Sequence, residues 1–200
     1  MTGDRRSATS RSGKREAVVG AAGRLFHSQG FHATGIDRIV AEAGVTPRTL
    51  YHHFRSKDDL LLAVLQKREE DYFSAFDQVA AARLRRHGDP VRAAFEALAQ
   101  WLRTEPAHGC LFLRALAEQG HGDARVREAV QTHKARVLCD LEQRLEALLA
   151  RTDARLAGSL MLLMEGATAL APLLGAEVAA RRALDGVEQM LGHEKENSYG

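Results

Sequence analysis

The chain contains few of the residues that cross-link a fold or direct it out of a cell. It has two cysteines, Cys110 and Cys139, among 200 residues. Two cysteines do not form a disulfide framework at this length, so we expect reduced thiols and a cytoplasmic protein. No apolar segment follows Arg5 and Arg6, and no export signal is therefore predicted.

Strand patterns are equally scarce. Runs that alternate apolar and polar residues are hard to find, only four prolines are present, and Ala, Leu, Arg and Glu dominate. The longest apolar run, SLMLLMEGATALAPLLGA, is interrupted by Glu165 and Pro172. These interruptions favour a buried helix over a membrane span. The chain is therefore predicted to be all-α.

Enzyme and metal motifs are missing as well. The sequence contains no G-x-G-x-x-G, no P-loop and no H-E-x-x-H. His52 and His53 are adjacent, whereas helical metal ligands prefer a spacing of three or four, and His108 with Cys110 is an incomplete ligand set. We expect no enzyme, no metal and no cofactor.

Charge is present but unevenly distributed. Residues 1–60 hold ten basic and six acidic residues, and the remainder holds eighteen and twenty. A basic N-terminal part followed by a mildly acidic remainder suggests that the N-terminal part binds a polyanion.

The most informative stretch is IDRIVAEAGVTPRTLYHHF, which predicts two short helices joined by a turn at Gly44. Thr46 is expected to cap the second helix, with Pro47 at its first position. Ala41, Val45 and Leu50 are predicted to lie where the two helices cross. Before this stretch, Thr34 is expected to cap the first of the two helices, with Asp37 three positions on.

Hydrogen-bond donors crowd the outer side of the second short helix. An α-helix fits the major groove of DNA, and its first turn reaches the base edges. Arg48 is therefore expected to read a base, and Lys57, at the next helix start, to meet a phosphate. Two alternatives stay open: Tyr51 as a half-buried packing residue and Lys57 as a solvated charge. The candidate DNA-binding residues are Thr34, Thr46, Arg48, Thr49, Tyr51, His52 and Lys57.

The longer string TGIDRIVAEAGVTPRTLYHHFRSKDDLL resembles the DNA-binding signature of the TetR-type (TetR/AcrR) transcriptional regulators. The resemblance covers residues 14 to about 61. It implies phosphate contacts by Thr34, Thr49, Tyr51 and Lys57, and base contacts by Arg48, Thr46 and His52. It also implies an all-helical subunit that dimerises through its last two helices and represses from a palindromic operator until a small molecule enters its C-terminal domain.

Large side chains are concentrated in the second half of the chain. They form either a core or the lining of an apolar ligand cavity, and both interpretations remain open. Glu165 lies on an otherwise apolar helix, so we expect it to pair with His133 or Arg136, to meet a ligand donor, or to lie exposed. The candidate ligand-binding residues are Phe95, Trp101, Phe112, His133, Met161, Met164 and Glu165.

The predicted organisation has about nine helices. It consists of a flexible basic arm at 1–13, a helix-turn-helix DNA-binding domain at 14–60, an effector-binding and dimerisation domain at 61–192 and a frayed tail at 193–200. The predicted function is a homodimeric operator-binding regulator controlled by a small, largely apolar effector. A DNA-binding regulator without such an effector, controlled by a partner or of nucleoid type, stays as the alternative.

Overall fold

The computed structural model describes residues 4–104 and 108–197, with side chains over 12–104 and 108–192. Within these residues the protein has nine α-helices and no strand, as predicted. The helices are α1 (Asp4–Gln29), α2 (Ile36–Ala43), α3 (Pro47–His53), α4 (Lys57–His87), α5 (Pro90–Thr104), α6 (Leu111–Gln119), α7 (Ala124–Leu149), α8 (Ala154–Leu174) and α9 (Ala176–Asn197).

The chain divides into two compact units. The first unit consists of Met1–Glu70 and Leu111–Gln131, and the second of Asp71–Cys110 and Thr132–Gly200. The sequence placed a single boundary near residue 60. The structure instead adds α6 and the start of α7 to the first unit, a grouping between distant chain segments that no local pattern indicates.

The first unit is built on α1, α2 and α3. Gly44 adopts a left-handed conformation with φ 64° and donates its N–H to the carbonyls of Val40 and Ala41, which turns the chain sharply between α2 and α3. Leu50 is fully buried, as predicted. Ala41 is exposed, so its predicted position at the helix crossing is wrong.

Four helices begin at a side-chain cap, and the cap predicted at Thr46 is one of them. Thr46, Ser56, Asp89 and Asp153 each accept a hydrogen bond from a backbone N–H in the first turn of α3, α4, α5 and α8. These bonds satisfy donors that have no partner inside the helix, which fixes where each helix starts.

Three helix ends differ from the predictions. α1 begins at Asp4 rather than near Lys14, so the arm predicted at 1–13 is helical from residue 4, and residues 1–3 lie outside the described chain. α2 begins after Gly35 without a side-chain cap. α9 continues to Asn197 through most of the predicted tail, of which residues 198–200 are not described.

The second unit packs α5, α8 and α9 with parts of α4 and α7 around one apolar core. Its largest buried side chains include Phe73, Phe76, Phe95, Leu98, Leu141, Leu145, Leu160 and Met164. A Cβ atom at Gly186 would lie only 3.0 Å from Leu163 Cδ2, so α9 lies close to α8 at this glycine.

One helix of the second unit is less buried than predicted. Among the described residues, α8 is the one helix that is long and apolar enough to cross a membrane, and 33% of its apolar window is buried. Length and composition alone are weak evidence for a span. The prediction of a buried helix is correct for one side of α8, where Leu160 and Met164 lie, and wrong for the side that carries Leu162 and Leu173.

Candidate DNA-binding surface and a polar cluster in the second unit

The outer side of α3 is exposed and rich in donors. Leu50 and Phe54 are buried and attach the helix to the first unit, which leaves Arg48, Tyr51 and His52 exposed on its other sides. Tyr51 is 53% exposed, which argues against the packing role considered for it. Arg48 forms no hydrogen bond or ion pair with the described residues, so its guanidinium is available to a ligand.

The start of α3 is held by two threonines. Thr46 accepts a hydrogen bond from the Thr49 backbone N–H at 3.2 Å, and their two hydroxyls lie 3.0 Å apart. This pair fixes the first turn, and Thr46 itself remains exposed. His53 is only partly exposed, and its ring lies next to that of Phe54.

Thr34 does not belong to this surface. Its side chain is 1% exposed, and its hydroxyl donates to the Gly30 carbonyl at 2.6 Å. The predicted side-chain contact with a phosphate is therefore wrong for this structure, and so is the predicted capping of α2. The reason is that Gly30 offers the Thr34 hydroxyl an acceptor inside the turn after α1.

Lys57 is used within the first unit. Its ammonium donates to the Phe31 carbonyl at 2.5 Å and lies 4.2 Å from the centre of the Phe31 ring. Burial lowers the pKa of Lys57. The negative charges of Asp58 and Glu118 raise it but do not offset the effect of burial. The alternative of a freely solvated charge does not fit these contacts, and a phosphate would have to compete with Phe31 for the ammonium.

The predicted ligand-binding residues do not form a single set. Phe112 lies in the first unit, whereas the other six lie in the second. Phe95 and Met164 are buried in the core of the second unit, and Met161 packs partly buried against that core. Trp101 and His133 both contact Tyr72, with ring centres 5.1 and 5.8 Å from its own.

Glu165 is paired with a lysine rather than with either residue predicted. Its Oε1 atom lies 2.6 Å from Lys134 Nζ, and the same ammonium lies 3.4 Å from Cys110 Sγ. Arg136 instead places its guanidinium 3.7 Å from the centre of the Phe73 ring. Helical spacing places three basic residues, His133, Lys134 and Arg136, close together on α7. It does not show which of them faces α8.

A surface cleft lies elsewhere in the second unit. Its volume is about 510 Å³, and its lining is charged: Arg86, His87, Asp89, Arg92 and Glu96. The carboxylate of Glu96 already lies 3.1 Å from Arg92 Nε. This lining does not suit the largely apolar effector that the sequence predicts.

Two family matches cover most of the chain. Residues 18–64 match the bacterial regulatory proteins of the tetR family, and residues 84–187 match the tetracyclin repressor-like C-terminal domain. The chain belongs to the TetR family. It is a DNA-binding transcriptional regulator, and the helix-turn-helix predicted from residues 34–61 is the DNA-binding element of that family.

Solved structures of TetR-family regulators share this fold. SCO4454 from Streptomyces coelicolor is 32% identical, with a TM-score of 0.81 over 91% of this chain and 96% of its own. The reduced form of NemR from E. coli, at 23% identity, has a TM-score of 0.73 over 88% of this chain and 97% of its own, which shows the fold alone.

Curated relatives match over a shorter range. The activator FasR of Mycolicibacterium smegmatis is 41% identical over 34% of this chain and 31% of its own. The repressor KstR2 of Rhodococcus jostii is 33% identical over 44% of this chain and 41% of its own. The chain thus aligns with less than half the length of either relative, and their names give opposite signs of regulation.

The residues that brace the DNA-binding element of this TetR-family chain were not predicted from the sequence. Glu118 of α6 accepts the backbone N–H of His32 at 2.9 Å, and Arg114 donates to the His27 carbonyl at 2.6 Å. Arg125 of α7 lies 2.8 Å from Asp59 of α4. None of these pairs is close in sequence, so no motif could have signalled them.

A second omission lies at the end of α3. The Arg55 side chain is 91% exposed and pairs with Asp59 at 3.2 Å. Its position directly after the donor-rich helix could have placed it among the candidate cations. Among the described residues, no group of three or more potential metal ligands gathers at this surface or elsewhere.

Proposed function

We propose that this TetR-family regulator is a homodimer that represses from a palindromic operator and leaves it when a small, largely apolar ligand binds the second unit. The observation that supports the proposal is the exposed, donor-rich side of α3. Leu50 and Phe54 hold the helix from one side, while its other sides offer uncommitted donors to solvent. A rigidly held, donor-rich helix is what reading of the major groove requires.

Within α3 we assign two roles by position. Arg48, in the first turn, would read a base edge, because its guanidinium is exposed and can bond a guanine bidentately. Thr46 and His52 would also face bases, whereas Thr49 and Tyr51 would contact phosphates. Lys57 would act mainly by holding the start of α4 against Phe31, and it would contribute positive potential rather than a dedicated phosphate contact.

Support for the dimer comes from α8. Leu162 and Leu173 are 76% and 79% exposed, and Leu170 is 47% exposed. These leucines recur at helical spacing along one side of α8, with Gly166 between them, so a second helix could approach closely. A contiguous exposed apolar side of this kind marks an interaction surface, and a two-fold axis would bury it against its own copy.

Support for a ligand comes from candidate side chains of the second unit that stay partly exposed beside its core. Trp101, Met161 and Glu165 are each partly exposed, in contrast to Phe95 and Met164. Aromatic and methionine side chains line adaptable apolar sites well. Repression is the sign proposed here. FasR, named an activator, shows that the opposite sign occurs among relatives of this chain.

Selection of bound fragments from the source genome, followed by sequencing, tests the DNA half. The expected result is a palindrome whose half-sites lie about 34–36 Å apart on one side of the duplex. Arg48→Ala should change the enriched motif, while Arg85→Ala, which removes an exposed arginine of α4, should leave it unchanged. Enrichment no better than random sequence at moderate salt would refute the proposal.

Operator release tests the ligand half. Hydrophobic compounds are titrated into the complex of dimer and operator, and a reporter gene downstream of the operator shows the sign of regulation. Loss of operator affinity with rising transcription supports ligand-controlled repression. If no compound class changes operator affinity, the chain is the alternative regulator without a small-molecule effector.

A further inference from the structure

The two carboxylate oxygens of Glu165 differ in their hydrogen bonding. Oε1 accepts from Lys134 Nζ at 2.6 Å. Oε2 is buried and has no hydrogen-bond partner among the described residues. A buried carboxylate oxygen without a donor is unfavourable, because it has lost water and gained nothing in return. The Oε2 atom can therefore accept a further hydrogen bond.

The charge around Glu165 restricts what that donor can be. Lys134 already balances the carboxylate, and its ammonium also donates to Cys110 Sγ at 3.4 Å. Asp140, the other carboxylate whose charge acts on Tyr72, is paired with Arg144 at 2.6 Å. A positively charged ligand would find both carboxylates already paired with a cation, so an uncharged donor fits better.

The neighbouring side chains restrict the rest of the ligand. Tyr72 packs edge-on against Trp101, and its hydroxyl has the thioether of Met164 as acceptor, at 3.9 Å. Burial raises the pKa of Tyr72 above its usual range, and the charge of Glu165 adds to the rise, so the hydroxyl stays neutral. An aromatic and thioether wall beside one polar anchor suits a mainly apolar body.

We infer that the effector is an uncharged, mainly apolar molecule carrying one hydroxyl or N–H group, which donates a hydrogen bond to Glu165 Oε2. The inference rests on the ligand response proposed above and names the chemical class of the ligand. Glu165 is the specificity-determining residue, Lys134 holds its carboxylate in place, and Tyr72 with Trp101 forms the apolar wall.

A set of compounds with one shared body tests the donor. Para-butylphenol can donate to Oε2, whereas para-butylanisole has nearly the same shape and cannot. Para-butylbenzylamine adds a cation. Binding to the full-length dimer is measured by calorimetry and by the fluorescence of Trp101, which is the only tryptophan in the sequence. We expect the phenol to bind about tenfold more tightly than the anisole, since hydrogen bonds to charged groups have this strength.

Glu165→Gln sharpens the test. The glutamine carbonyl can keep the bond to Lys134, which places the amide NH₂ where Oε2 was and turns an acceptor into a donor. The preference for phenol over anisole should then disappear or reverse. Glu177→Gln is the matched control, because Glu177 is an exposed carboxylate of the second unit paired with Arg103 at 3.0 Å, and it should keep the wild-type preference.

Three outcomes overturn the inference. It is wrong if the anisole or the amine binds as tightly as the phenol, if none of the three compounds binds, or if folded Glu165→Gln keeps the wild-type preference. Unfolding curves of both variants verify that they are folded. Operator affinity is measured separately with each compound. A phenol that binds with the expected preference but leaves operator affinity unchanged would refute ligand control and leave the role of Glu165 standing.

Discussion

Helices α3 and α8 each leave one side uncovered, and the two uncovered sides have opposite chemistry. α3 exposes Arg48, Tyr51 and His52, which all carry hydrogen-bonding groups. α8 exposes Leu162 and Leu173, which have none. In both helices the opposite side is buried in the core of its own unit. The two helices therefore differ in the chemistry of the side chains that they expose.

This difference indicates two kinds of partner. Donor side chains are well solvated, so a surface such as that of α3 is stable in water and can bind and release a polyanion. A row of leucines is poorly solvated, and burying each one contributes about 1.5–3 kcal/mol. The side of α8 is therefore suited to a lasting contact with another apolar surface, and the side of α3 to a reversible one.

The largest expected effect comes from placing charge on the exposed side of α8. Leu162→Glu combined with Leu173→Glu should raise the dimer dissociation constant by roughly a hundredfold or more, because a two-fold contact contains each leucine twice. Operator affinity should fall with it. Sedimentation and footprinting measure the two effects. Leu84→Glu, at an exposed leucine of α4, is the control; a double variant that stays dimeric would remove α8 from the interface.

The next largest effect concerns the exposed side of α3. Arg48→Ala should cost about 1–3 kcal/mol of discrimination at one base position of the operator and little affinity for unrelated DNA. Arg55→Ala should instead weaken binding to all sequences alike and reduce the salt dependence. Binding to a series of single-base operator variants distinguishes them, and matching profiles for the two variants would contradict the role given to Arg48.

A smaller effect is expected at Thr34, which the structure removes from the DNA-binding surface. Thr34→Val deletes the buried bond to Gly30 and should lower the free energy of unfolding by about 1 kcal/mol. Operator affinity measured on folded protein should stay within about twofold. Urea unfolding and a binding titration test this, with Thr34→Ser as the control. Weakened binding at unchanged stability would restore the phosphate contact predicted from the sequence.

The smallest effect should appear in the brace between α4 and α7. The hydrogen bond from Arg125 lowers the pKa of Asp59 below its ordinary 3.8. The pair therefore stabilises the fold above that pH, and its contribution is lost as the pH falls through the lowered pKa. Arg125→Ala should reduce Tm slightly at neutral pH, as exposed ion pairs do, and not at all in strong acid. Thermal unfolding across this pH range measures the difference in Tm between the wild type and the variant. A difference in Tm that does not change with pH would exclude the ion pair as its source.

Features that act within a few residues were predictable. Thr46 caps α3 and Pro47 stands at its first position because both act on the adjacent turn. The burial of Leu50 followed from helical spacing alone. The predicted helix-turn-helix was confirmed because its determinants are local in the chain.

Features that join distant segments were not predictable. Lys57 bonds to Phe31, Glu165 to Lys134, and Glu118 to His32. In each case the sequence offers several partners of suitable charge, and only the packing of helices selects one. The incorrect pairing predicted for Glu165 and the missed role of α6 have this common cause.

By itself the sequence determined that the chain is helical, where most of its helices begin, and that one short helix keeps its donors outside. Tertiary structure decided which polar groups face inward, as at Thr34, and which side of α8 stays uncovered. The physical reason is the distance along the chain over which each interaction acts. Caps and amphipathic spacing act within one or two turns, whereas burial and pairing depend on which surfaces meet after the chain has folded.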